Sequence, residues 1–192
     1  DATYSGAASF GAGNDSISLA GTSSFTGTAD FGGGTDSLTL SGTSTFNGSL
    51  ANSAGVAVTI NGGRMDLAKG IVSLRSLDIG AAGTLGLTLD AANHNGTLLN
   101  ISGNAGFTQG AKLALTLTGV TGAEGRYNVL QAGSVTGAAN LATSDVLLPF
   151  LYKSSIVAPT PTTLAIDITR KTTTELGLNR SQSAAWNAIY AA

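Results

Sequence analysis

Residues 8–28, ASFGAGNDSISLAGTSSFTGT, return 21 positions later as residues 29–49, ADFGGGTDSLTLSGTSTFNGS. At this one offset Phe10 meets Phe31, Gly13 meets Gly34, Asp15 meets Asp36, Leu19 meets Leu40, Phe25 meets Phe46 and Gly27 meets Gly48. A fixed period of this length marks stacked repeat units, each of which buries its apolar face only against its neighbours. Within a unit apolar residues alternate with small polar ones, as in Ile17-Ser18-Leu19 and Leu38-Thr39-Leu40. Period 2 is the strand pattern.

The repeat continues in weakened form. One apolar ladder runs Leu19, Leu40, Ile60, Ile79, Ile101, and a second runs Phe25, Phe46, Leu67, Leu87, Phe107. These ten residues are the expected core. A weaker third ladder runs Phe10, Phe31, Leu50, Ile71. Three short strands per ~20 residues, punctuated by glycine, predict an all-β chain, a right-handed parallel β-helix with about 20–21 residues per coil and coils ~4.8 Å apart. Gly21, Gly42, Gly62 and Gly103 each follow a first-ladder residue by two positions, which predicts corners of positive φ. After Ile79 the glycine arrives one residue early, at Gly80. A β-sandwich with regular turns is the alternative, and the long match at one offset disfavours it.

From about residue 111 the texture changes. Leu113–Leu117, Tyr127–Leu130 and Leu164–Ile168 alternate as strands, and Val146–Tyr152 is the most apolar stretch. A solenoid needs its last coil covered. The expected division is therefore coils over 1–111, a β cap over 112–169, and a linker with a short helix over 170–192. Pro159 and Pro161 suit a turn or an edge within the cap. Thr172 with Glu175 and Asn179 with Gln182 have capping-box spacing. The favoured helix runs from about 180 to the chain end, with Trp186, Ile189 and Tyr190 forming one apolar patch. It meets no C-cap signal, so the natural protein is expected to continue.

Composition removes several function classes. Gly numbers 27 of 192 residues, about twice the usual ~7%, and charged residues are only 10%. Residues 1–60 hold Asp1, Asp15, Asp30 and Asp36 and no Lys or Arg, so that third cannot grip an anion, and a net charge of −2 argues against nucleic acid. There is no cysteine and one histidine, His94. Disulfides, thiol chemistry and His-paired metal sites are therefore outside its reach. No apolar run reaches 18 residues. No basic-then-apolar leader opens these residues, so an exported chain would carry its signal upstream or have lost it.

The feature closest to a chemical motif is Gly11-Ala-Gly-Asn-Asp15-Ser-Ile17, repeated as Gly32-Gly-Gly-Thr-Asp36-Ser-Leu38. It shares much of the calcium-binding nonapeptide pattern, with Phe10 and Phe31 in place of the first glycine. Calcium takes six or more oxygens, and two aspartates among neutral neighbours supply few. The favoured reading makes each Asp an Asx-type brace at a coil corner, with Asp15 and Asp36 as calcium candidates only in the lesser reading. Stacked one coil apart, the same pair also matches a glycosidase carboxylate spacing, but no Lys, Arg or His lies in the same coils to orient a sugar. His94, in Ala-Ala-Asn-His-Asn-Gly, reads as a surface loop. No cofactor and no catalytic residue is expected.

A Gly/Ser/Thr-rich, cysteine-free repeat leads to a strand Gly-x-Tyr-x-Val-Leu at Gly125–Leu130, then Glu175-Leu-Gly-Leu-Asn179 and a small-residue helix. Together these resemble the C-terminal part of a pertactin-like autotransporter passenger of type V secretion. The resemblance covers essentially the whole chain and rests on architecture and loose motifs. It implies that 112–169 is an autochaperone region, folding first outside the cell and templating the coils behind it. It implies a non-catalytic stalk supporting an upstream passenger effector, with localisation at the cell surface or secreted from a Gram-negative bacterium. Its partner would be its own outer-membrane β-barrel translocator, which these 192 residues do not include. An adhesin that self-associates or binds a host surface is the alternative function, and self-association is the remaining partner class.

Overall fold

The computed structural model describes residues 1–190, and for 144–147 and 187–190 the backbone alone. Alternation in each early repeat produces two strands per unit, where three were expected: β1 (Thr3–Ser9), β2 (Ser16–Leu19), β3 (Ser24–Asp30), β4 (Asp36–Leu40) and β5 (Thr45–Ala51). Longer strands follow: β6 (Val56–Leu67), β7 (Gly70–Leu74), β8 (Ser76–Asp90) and β9 (Asn95–Phe107). The chain continues through β10 (Lys112–Thr118), β11 (Gly125–Thr136), β12 (Ala142–Leu147), β13 (Tyr152–Thr160) and β14 (Thr163–Arg170), then ends in α1 (Arg180–Tyr190). Apart from α1 and a 3-10 turn at Ala138–Asn140 the described chain is all-β, and its strands join in one mixed sheet.

The 21-residue offset is the hydrogen-bonding register. β1, β3 and β5 pair in parallel with Tyr4 opposite Phe25 and Phe25 opposite Phe46. Their rings stack at 4.9 and 5.0 Å, and Phe10 stacks on Phe31 at 5.4 Å. A second parallel run joins β2, β4 and the first halves of β6 and β8, setting Leu19, Leu40, Ile60 and Ile79 in one row. All ten expected core residues are buried in one apolar cluster. In a strand a buried rung on a fixed face excludes a one-residue slip, because the slip would turn the whole set to solvent.

The rows themselves differ from expectation further along. The fifth member of the first row is Phe107, opposite Ile79, whereas Ile101 lies opposite Leu74. The second row runs Phe46, Met65, Leu85, Leu113; Leu67 pairs with Gly48 and Leu87 with Leu115. Met65 and Leu67 share parity on one strand, so both face inward and the pattern alone cannot choose between them. The third ladder slips at Leu50, which lies opposite Ala29 instead of Phe31, and fails at Ile71, which is 70% exposed while its neighbours Val72 and Leu74 are buried. Of the expected corner glycines, Gly21 and Gly42 have positive φ (61° and 70°). In the next unit Gly63 (φ 75°) takes that role instead of Gly62, beside a register shift within β6, and Gly103 sits within β9.

Parallel pairing does not stop at 112. β10 pairs in parallel with both β8 and β12, and β11 with β9. Antiparallel pairing first enters at the turn from β8 to β9, where Leu89 lies opposite Gly96 and Asp90 opposite Asn95, and it returns where β14 pairs antiparallel with β11 and with β13, the last strand of the sheet. Pro159 lies on β13, and Pro161 sits in the turn between β13 and β14, places where a missing N–H costs no ladder bond. Within the apolar stretch Val146–Tyr152 the chain turns, and Phe150 is 71% exposed beneath the Lys171 ammonium, 4.7 Å from its ring centre. The side chains of Val146, Leu147, Ile189 and Tyr190 lie outside the described residues.

Both capping boxes form. Asn179 and Gln182 exchange side chain–backbone bonds of 2.9 Å at the start of α1. Thr172 and Glu175 do the same at 2.7 and 3.2 Å. That first turn ends at once, because Gly177 (φ 69°) and Leu178 send their N–H groups back to Thr174 and Thr173, a Schellman stop.

Candidate functional site

At the Asp corner the structure brings Asp15 and Asp36 together one repeat apart. The Asp15 N–H donates to Asp36 Oδ1 at 2.8 Å, and the Thr35 N–H donates to Asn14 Oδ1 at 2.9 Å. Each side chain thus braces the backbone of the adjacent repeat. Asp36 is 1% exposed, which closes it to a polymeric substrate. Among the described residues no group of three or more His, Cys, Asp or Glu side chains gathers around a point.

His94 lies in the tight connection from β8 to β9, where Leu89 faces Gly96 and Asp90 faces Asn95. It takes a left-handed conformation (φ 49°), and its ring stacks on Tyr127 at 5.4 Å with the planes 6° apart. Tyr127 is buried, donates its O–H to Ala123 O at 2.9 Å, and has its pKa raised mainly by burial. Asp90 holds the connection closed: it accepts from the Ala92 N–H at 3.1 Å and from the Lys69 ammonium. The bond from Lys69, then that from Asn93, lowers the Asp90 pKa to about 2.

The β8–β9 connection also builds a feature that the sequence pattern does not announce. β7, β9, β11, β14 and β13 lie side by side. Their outward residues form rows across the strands. One is polar: Ser73 faces Asn100, Asn100 faces Gln131, and Gln131 faces Thr163. Beside it Ile71 faces Leu98, and Asn128 stands exposed opposite Ala165, which is buried. A third row sets Arg126 against Asp167 in a two-pronged ion pair, both bonds 2.7 Å. Hollows of about 370, 520 and 390 Å³ follow one another along this face. The first two share Asn100 and Gln131, and the last two share Leu98, Arg126 and Asn128.

The sequence pattern singles out none of these residues as a site, and it places Ile71 in an apolar ladder. Their adjacency depends on the lengthened unit between β8 and β10, which breaks the repeat arithmetic. The chain matches no protein-family model, and no curated protein matches it.

Proposed function

We propose that this chain is a right-handed parallel β-helix whose C-terminal region caps and templates it, serving as a non-catalytic stalk and autochaperone segment of an autotransporter passenger. In this reading it is exported across the outer membrane of a Gram-negative bacterium, beside its own β-barrel translocator, and holds an upstream effector at or beyond the cell surface. The observation that supports it best is the change of pairing sense. The early strands repeat in parallel at the period of one coil, β8 and β9 close antiparallel at the Asp90–Asn95 turn, and the sheet ends in the antiparallel β11–β14–β13 arrangement. Such an arrangement covers a coil end that would otherwise pair with other chains. It also suits a template, since each later coil then adds to an existing edge without repeating the nucleation cost.

The test is the order of folding. A fragment beginning at Ser76, the first residue of β8, is expected to fold alone, whereas residues 1–110 stay unfolded or aggregate. Amide exchange in the full chain should be slowest over Leu113–Leu130 and Leu164–Ile168. Fastest exchange there, with a stable monomer from residues 1–110, would rule out the autochaperone role.

A further inference from the structure

We propose that the outer face of β7, β9, β11, β14 and β13 is a binding track for a linear, uncharged polysaccharide lying across the strands. The polar row Ser73–Asn100–Gln131–Thr163 advances one strand at a time. That step is ~4.8 Å, close to the length of one sugar residue in an extended glycan, so successive hydroxyl groups meet successive side chains. The amides of Asn100, Asn128 and Gln131 make no hydrogen bond to other described residues. Each brings two donors and an acceptor to a ligand. Next to them Ile71, 70% exposed, and Leu98 give apolar surface to the C–H faces of the rings.

Charge selects the class of polymer. Lys69 is held by Asp90 and Arg126 by Asp167, so the cations lining the track already have carboxylate partners. A sulfated or uronic polymer would have to break these pairs, whereas a neutral one leaves them intact. A peptide is a poorer fit. β9, β11 and β14 have strands on both sides, so the middle of the track has no free edge for strand addition.

Hexasaccharides of β-1,4-linked glucose and of N-acetylglucosamine, titrated into the full chain to millimolar concentration, test the proposal by NMR. The expected result is a saturable shift of the side-chain amide signals of Asn100, Asn128 and Gln131 with at least one of the two. The Asn100→Ala, Gln131→Ala double variant should weaken that binding about tenfold or more. Because both side chains lie on the outer face, the variant should melt with the parent, and that measurement separates lost contacts from lost structure. Silence of all three amides with both sugars would overturn the proposal. So would tighter binding of a sulfated hexasaccharide, or equal binding of a Ser/Thr/Gly decapeptide at the same amides. None of these outcomes bears on the order of folding.

Discussion

The Asp36 carboxylate reaches across to the preceding repeat and takes the Asp15 N–H on Oδ1 at 2.8 Å, while Oδ2 of both residues is buried with no hydrogen-bond partner among the described residues. One oxygen of Asp36 therefore does structural work and the other does none. Asp36→Asn keeps the acceptor and should change stability little. Asp36→Ala leaves the Asp15 N–H without an acceptor and should cost about 1–3 kcal/mol. Urea melts of the two variants check the difference. In the corner-brace reading, millimolar calcium leaves the parent's melting temperature where EDTA leaves it. A calcium-dependent rise that Asp36→Ala abolishes would transfer the corner to the calcium reading.

Gly27 and Gly6 occupy equivalent places in successive repeats, yet substitution should affect them unequally. A Cβ on Gly27 (φ +140°) would sit 1.9 Å from the Gly6 carbonyl oxygen. Gly6 (φ +141°) lies on β1, which ends the sheet, and its Cβ would meet nothing nearer than 3.8 Å. Gly27→Ala must force the two strands apart as well as strain the backbone, which alone costs about 1–3 kcal/mol. Gly6→Ala can relax toward the open edge. Thermal melts should rank Gly27→Ala well below Gly6→Ala; equal melting temperatures would show that the close approach is not a constraint.

The difference between what was legible and what was not follows from the same rows. Leu19, Leu40, Ile60 and Ile79 could be aligned from the sequence because their steps stay near one coil length. The next step in the structure, Ile79 to Phe107, is 107 − 79 = 28 residues. Leu85 to Leu113 is again 113 − 85 = 28. The extra residues form the Asp90–Asn95 connection, where polar side chains brace the turn and leave no apolar period to count. Met65 against Leu67, and Leu85 against Leu87, were undecidable for another reason. Both members of each pair face the core, and only the registered partner distinguishes them. The polar track was hidden by this longer unit, since Asn100 and Gln131 become neighbours only once β9 and β11 are paired.

Acid should loosen the two connections held by carboxylates. The Asp90 pKa falls from an ordinary 3.8 to about 2, through the Lys69 bond first and then Asn93. The Glu175 pKa falls from 4.5 to about 2, through Lys153 first and then the Thr172 backbone and hydroxyl. A carboxylate whose folded pKa is depressed stabilises the fold above its unfolded pKa, and loses that contribution as pH falls toward the folded value. Both contributions are therefore complete at neutral pH and fade between about pH 4.5 and 2. Carboxyl carbon shifts should show Asp90 titrating near the bottom of that window. Lys69→Met should move its midpoint upward; an unchanged midpoint would mean that the ammonium does not hold the carboxylate.

Phe46 is the most informative single core position, because its ring lies under Phe25 and its strand faces Met65 on the other side. It is fully buried. Phe46→Leu keeps most of the apolar volume and removes the ring stack, a loss of about 0.5–1.5 kcal/mol. Phe46→Ala opens a cavity and should cost about 3–5 kcal/mol. The distribution of the damage matters as much as its size. When units contact only their neighbours, stability is roughly a sum of unit and interface terms. The loss should then appear as faster amide exchange across β3, β5 and the second half of β6, with Tyr127–Leu130 unchanged. Uniform acceleration along the whole chain would instead mean that the chain unfolds in one cooperative step, and that its ends do not differ in stability as a folding template requires.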